Sequence, residues 1–254
     1  MRKTLLWFIA TVLVASLFAQ PSPQTARTRL ADGFDIPVGK PDGEGYFIQR
    51  GFRPNGHLGE DWNGARGGNT DIGDPVYAIA HGMVVFAKNA RMGWGNVVII
   101  RHAYLEGGQI RTIDSLYGHL DRITVREGQQ ITKGQQVGTI GTNSGMYVAH
   151  LHFEIRKNIN IGVNHSSAKR DYSNYYSPNQ FISSHRQLGG AGRSAVIAIN
   201  TFNSNPRFEA PSDESKSRTT IAKKDGRSSS SSTAAPKSTP QRNFRVDRFG
   251  TESF

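Results

Sequence analysis

The strongest constraint on this chain is a rhythm. Between about residues 30 and 185, short β-forming runs alternate with glycine-marked turns, and no amphipathic helix of useful length interrupts them. The runs fall at 75–80, 83–88, 96–101, 137–140 and 151–155, and the turn signals include Asn55-Gly56, Gly67-Gly68, His81-Gly82, Gly107-Gly108 and Lys133-Gly134. Strands of this length between such turns predict antiparallel hairpins, so the expected fold class is all-β: a small antiparallel β-sandwich or barrel-like domain. A body of this size buries roughly 70% of the surface its unfolded chain exposes, which is enough for independent stability.

The flanks follow a different logic. Met1-Arg2-Lys3 precedes an apolar run over 4–19 that ends in small residues before Gln20-Pro21-Ser22-Pro23, the layout of a signal peptide. That run is shorter than the ~20 residues of a spanning helix. Cleavage near Ala19 is therefore expected, with no stable transmembrane segment afterwards and a periplasmic or extracellular destination. The chain contains no cysteine, which leaves an exported fold without disulfide or lipid thioether and resting on its core or on a metal.

After His185 the pattern dissolves into Gly189-Gly190-Ala191-Gly192, then a serine run over 228–232, then Ala235-Pro236-Lys237-Ser238-Thr239-Pro240. Of the formal net charge of +11, +5 lies in residues 187–254. The expected organisation is a signal peptide at 1–19, a linker at 20–29, one domain at 30–185 and a low-complexity, basic, disordered tail at 186–254. Within that tail, residues 195–199 are an apolar stretch able to add an edge strand. A basic tail favours polyanions without choosing among them, so contact with an acidic wall polymer or an anionic surface is expected and specific nucleic-acid binding is not.

Three short segments concentrate polar groups in a way that packing does not explain. In His57-Leu58-Gly59-Glu60-Asp61 an imidazole and a carboxylate stand four apart beside Gly56 and Gly59, so a turn can aim both at one ion. In His150-Leu151-His152-Phe153-Glu154, residues two apart share a strand face. His150 and His152 then project together, Leu151 and Phe153 enter the opposite layer, and Glu154 serves the histidine face as a hydrogen-bond partner. In Leu116-Tyr117-Gly118-His119-Leu120, His119 closes a β-rich stretch. Each segment alone also has an ordinary reading: a surface His and Asp, two histidines on an exposed strand face, a satisfied core histidine.

Together with the text that connects them, these segments resemble the lysostaphin/LytM-type zinc endopeptidases of peptidase family M23. The connecting text is GDPVYAIAHGMVV from Gly73, YGHL from Tyr117, VREGQQITKGQQVGTIGTNSG from Val125 and HLHFEIR from His150, and the resemblance runs over about residues 51–182. It implies that His57, Asp61 and His152 ligate one Zn²⁺ and that His119 and His150 form a catalytic pair beside it. It also implies an antiparallel β fold with the site in a groove across a sheet, cell-wall association, and hydrolysis of peptide bonds in bacterial peptidoglycan cross-links. Two neutral imidazoles and one carboxylate would leave a zinc site with net charge +1 and an open fourth position, and imidazoles titrating near 6.5 suit proton transfer.

The chain departs from the family pattern where Tyr147-Val148-Ala149 replace the frequent Thr-Gly-Pro, and in a hairpin over 102–115 that is longer than many. His81, His102, His165 and His185 read as spectators. The competing reading is a non-catalytic cell-wall-binding regulator or activator of other wall hydrolases, whose sign is missing ligands; none of the five is missing here. The segment around Lys133-Gly134 also resembles the hairpin of biotin- and lipoyl-carrier domains, a reading opposed by export and by the histidine set.

Overall fold

The computed structural model describes residues 24–163 and 169–202. The expected signal peptide, residues 203–254 of the expected tail, and His165 lie outside the described residues. Twelve strands form: β1 Thr25–Ala31, β2 Tyr46–Arg50, β3 Glu60–Gly64, β4 Pro75–Tyr77, β5 Gly82–Asn89, β6 Asn96–Glu106, β7 Gln109–Ile123, β8 Gln130–Ile131, β9 Gln136–Ile140, β10 Leu151–Arg156, β11 Tyr175–Tyr176 and β12 Ser194–Ala198. They are joined by one α-helix, α1, Pro178–Ser184.

The all-β expectation is met by a single sheet that stays open, with the spine β12-β1-β6-β7-β10-β3-β2. Its hairpins are antiparallel, whereas β1 runs parallel to β6. A parallel pair needs a long crossover, and the chain supplies one by building β2 to β5 between them. The longest hairpin, β6 to β7, turns through Gly107 and Gly108, both at positive φ (56° and 78°), the backbone that a two-residue hairpin loop matched to strand twist demands.

Alternation along β10 separates structure from chemistry. Leu151, Phe153 and Ile155 are fully buried in the main apolar cluster with Val98, Ile100 and Tyr117. His152, Glu154 and Arg156 take the other face. That face is buried as well, and it carries a row of charges. Asp114 on β7 lies opposite Arg156, and Arg101 on β6 lies opposite Asp114. Arg101 grips Asp114 with two bonds of 2.7 Å, Nε to Oδ1 and Nη2 to Oδ2, and donates to the carbonyls of Ala198 and Ile159.

The folded body is longer at both ends than the expected 30–185. β1 begins inside the expected linker, β12 lies beyond His185, and the two pair antiparallel from Thr25↔Ala198 to Arg29↔Ser194. Each strand supplies the other's ladder, and β12 takes up the apolar stretch at 195–199 read as able to add an edge strand. Ala195 and Ile197 pack with Leu30, Met83 and Ala103, whereas Val196 faces out. The glycine-rich stretch before β12 is a turn, closed by Arg193 N–H on the Gly190 carbonyl, and the Arg193 carbonyl in turn accepts from Leu30 N–H.

His102, read as a spectator, is a fully buried core residue whose Nδ1–H donates to the His81 carbonyl and whose Nε2 faces the Ser115 hydroxyl at 2.8 Å. Burial pushes its pKa down to about 4. The unfolded chain, titrating near 6.5, binds this proton first, so the stability held above pH 6.5 is lost as pH falls towards 4, by on the order of 3 kcal/mol. Urea unfolding from pH 7 to 4 should show this slope in the wild type and a flatter one in His102→Gln; equal slopes contradict it.

Candidate metal centre

The five residues singled out in the sequence come together where β3, β7 and β10 adjoin. Asp61 pairs across the ladder with His152, and His152 pairs on its other side with Gly118, next to His119. The close approach of the 57–61 segment to β10 depends on Gly59, where a Cβ would lie 2.4 Å from the Phe153 carbonyl oxygen. His119 sits at an irregularity in the β6–β7 register and holds φ +59°, a strained backbone for a non-glycine residue that turns its ring away from the regular strand direction.

Donor atoms of three side chains form a triangle. His57 Nε2 lies 3.0 Å from Asp61 Oδ1, His152 Nδ1 lies 2.9 Å from the same oxygen, and the two nitrogens are 3.1 Å apart. An ion with tetrahedral ligands at about 2.0–2.1 Å separates its donors by about 3.3–3.4 Å. The triangle fits such an ion after an expansion of a few tenths of an ångström.

The outer nitrogens decide the tautomers. His57 Nδ1 faces the Gly51 carbonyl at 3.1 Å, an acceptor, so Nδ1 carries the hydrogen and Nε2 offers a lone pair inward. His152 Nε2 faces Glu154 Oε1 at 2.9 Å, and Glu154 Oε2 accepts in turn from Arg156 Nε at 2.6 Å. That chain holds a hydrogen on Nε2 and aims the Nδ1 lone pair at Asp61. Three lone pairs so placed repel unless a cation lies among them. With protein alone around it, burial would strip the His152 proton, but bonds to Asp61 and Glu154 outweigh burial and raise its pKa to about 9. Burial likewise opposes charge on Asp61, and the bonds from His152 and His57 hold its carboxyl well below the ordinary range. The site is built for positive charge, and His57, Asp61 and His152 place their ligand atoms close enough together to hold one metal ion.

His119 and His150 flank the triangle with the same logic. His119 Nδ1 donates to the Trp94 carbonyl at 3.2 Å and His150 Nδ1 to the Val148 carbonyl at 2.7 Å, which leaves both Nε2 atoms as acceptors. His150 Nε2 is 3.7 Å from Asp61 Oδ1, and the two imidazole centroids are 4.9 Å apart. Burial, then the neighbouring His152 and His150, push His119 down to about 3; burial also lowers His150. Both therefore stand neutral at working pH.

Sequence reasoning missed the Trp94 carbonyl, which orients His119, because a backbone acceptor leaves no mark in the residue type. It also missed Arg156, although the period of two from His152 through Glu154 places Arg156 on the same strand face. Glu154 is the hydrogen-bond partner expected. Replacing it with Gln removes the charge behind His152 and should weaken metal binding by roughly 10- to 100-fold, read by competition with a chromophoric chelator. Unchanged affinity contradicts that role.

Lys133 Nζ lies 2.9 Å from Asp32 Oδ1. His185, a spectator, stacks on Phe181 and faces Glu106 at 3.0 Å.

Residues 56–165 match the family model described as Peptidase family M23. The murein hydrolase activator NlpD of Escherichia coli (strain K12) is 38% identical over 109 residues, 40% of this chain and 26% of that one. The lipoprotein NlpD of Yersinia enterocolitica is 42% identical over 86 residues, 33% of this chain and 78% of that one. Among solved structures, the antimicrobial peptidase lysostaphin from Staphylococcus simulans shares 27% identity at a TM-score of 0.40, covering 58% of this chain and 53% of that one. The chain thus spans about a quarter of the length of the activators it matches and more than two thirds of the Yersinia protein. Identity at that level across most of a relative means that this chain belongs to peptidase family M23.

Proposed function

We propose that this chain is an exported zinc-dependent endopeptidase that hydrolyses peptide bonds in bacterial peptidoglycan cross-links. The observation that carries the reading is the convergence of three inward lone pairs at 2.9–3.1 Å, with two further neutral imidazoles beside them. Two nitrogens and one carboxylate oxygen suit Zn²⁺. Zinc held there supplies Lewis acidity, lowering the pKa of a coordinated water to about 7 and polarising a carbonyl.

The protein's own part is proton management. Trp94 and Val148 carbonyls fix His119 and His150 with Nε2 ready to accept, so one imidazole takes the proton from the attacking water and, once charged, can return it to the departing amine. The other, whose Nε2 is likewise an acceptor, orients that water, and a metal held by the triangle would supply the positive charge that the developing oxyanion needs. Glu154 and Arg156 keep His152 in register while this happens. A location in the cell envelope agrees with the expected signal peptide and with relatives named as lipoproteins and outer-membrane antigens. Among the described residues no helix is long and apolar enough to cross a membrane.

A second reading has the comparisons on its side. The relatives named murein hydrolase activators are 38% identical to this chain, and on that reading the domain stimulates another wall hydrolase and cuts nothing itself. The full-length protein should be incubated with purified sacculi, with and without chelator, and with and without a separate murein hydrolase. The endopeptidase reading expects new amino termini inside the peptide cross-links that vanish with chelator. No new termini, together with faster release by the second hydrolase that persists in His119→Ala, selects the activator.

A further inference from the structure

The charges behind His152 continue well past the residues that touch it. Glu154 accepts from His152 and from Arg156, Arg156 lies opposite Asp114 in the β10–β7 register, and Asp114 lies opposite Arg101 in the β7–β6 register. From Glu154 to Arg101 the signs alternate, and none of these four residues is more than 1% exposed. At the far end Arg101 Nη1 donates to the Ala198 carbonyl at 2.6 Å. A row that begins at the metal centre therefore ends on β12, outside the residues 56–165 that match the family model.

Arg156 is the link that depends on its neighbours. Its Nε is bound to Glu154 Oε2, whereas its Nη1 and Nη2 are buried with no hydrogen-bond partner among the described residues. Both carboxylate oxygens of Asp114 are taken by Arg101, so Asp114 acts on Arg156 through charge. Burial opposes the charge of Arg156, and Glu154, ahead of Asp114, favours it; burial likewise opposes the charge of Asp114, which Arg101 and then Arg156 favour. Charges this deep are little screened by salt. The Asp114 anion thus offsets part of the pull of Arg156 on Glu154, which leaves Glu154 the stronger acceptor for the His152 Nε2–H.

Resting on the reading of His57, Asp61 and His152 as a metal site, we infer that Asp114 and Arg101 are positioning residues of that site, which set, through Arg156 and Glu154, how strongly His152 offers its lone pair to a bound ion. Arg101 fixes Asp114 with two bonds and is itself fixed by the Ala198 and Ile159 carbonyls, which ties β12 to the support of the metal centre. The direct partner of a ligating histidine changes metal affinity by roughly 10- to 100-fold. Asp114 acts one link further back, and its effect is smaller and of the same sign.

The test is the zinc affinity of the full-length protein, read by competition with a chromophoric chelator under conditions where every variant is folded. Arg101→Met/Asp114→Leu removes the pair without stranding either of its charges, and its zinc dissociation constant should rise by roughly 3- to 10-fold. Asp114→Asn removes the anion and keeps the side-chain shape; it should show a rise in the same range and covers the case in which the double variant fails to fold. In a Glu154→Gln background the same substitutions should change affinity by less than about twofold, because their path to His152 is already cut. A merely structural role would lower the urea midpoint and leave the zinc affinity of the folded protein alone. Wild-type affinity in the variants, or an undiminished loss in the Glu154→Gln background, overturns the positioning role and leaves the metal centre intact. Wild-type protein that binds no zinc overturns the metal centre and the positioning role with it.

Discussion

His119→Ala is expected to keep its metal and lower peptide hydrolysis by roughly 10²- to 10⁴-fold, the usual contribution of a positioned general acid or base. Asp61→Ala is expected to lose both. The contrast follows from the triangle. Asp61 Oδ1 is the corner shared by both histidine contacts, 3.0 Å from His57 Nε2 and 2.9 Å from His152 Nδ1. Without it two imidazole lone pairs 3.1 Å apart face each other with no anion between them. His119 touches the triangle only by ring contact, 5.6 Å from His152 between centroids, and its Nδ1 is satisfied by Trp94. Truncating it leaves the ligands where they are. Metal content by plasma mass spectrometry beside a turnover assay separates the two variants; full activity in His119→Ala would falsify the assignment of the pair.

A second large effect concerns stability. Asp114→Ala should destabilise the fold by about 3–5 kcal/mol, the cost of stranding one partner of a buried ion pair. Arg101 is fully buried, takes both carboxylate oxygens of Asp114, and extends to the Ala198 and Ile159 carbonyls, so the stranded guanidinium sits where three parts of the chain meet. Against a typical total of about 5–15 kcal/mol this is a severe loss. Replacing both partners with apolar side chains, Arg101→Met with Asp114→Leu, should recover much of it, because the buried charge is then gone. Urea denaturation measures all three proteins. A change below about 1 kcal/mol in Asp114→Ala contradicts the account.

The sequence carried the strand rhythm and the three polar segments that converge for the same reason: both are written in residue types at fixed short spacing. Leu151 and Phe153 alternate with His150 and His152, so one look at the period of two separates core from site, and the structure places them accordingly. Gly107-Gly108 likewise announces its hairpin. What escaped depends on partners far apart in the chain. The β1–β12 pairing joins segments about 170 residues apart: the apolar stretch at 195–199 marks one of them as an edge strand, but nothing local names β1 as its partner. The Gly51, Trp94 and Val148 carbonyls that set the histidine tautomers are backbone groups, which any residue type supplies. The open sheet, in place of a closed barrel, follows from which edges find a neighbour, and local pattern is silent about that.

The most direct test of the metal centre is X-ray absorption on the purified full-length protein, with metal content measured on the same sample. The geometry predicts one zinc per chain, bound by two imidazole nitrogens and a carboxylate oxygen at about 2.0–2.2 Å, with the signal gone in Asp61→Ala. Protein that carries no transition metal and still cleaves peptidoglycan, or a bound ion whose spectrum lacks two imidazoles, would contradict it.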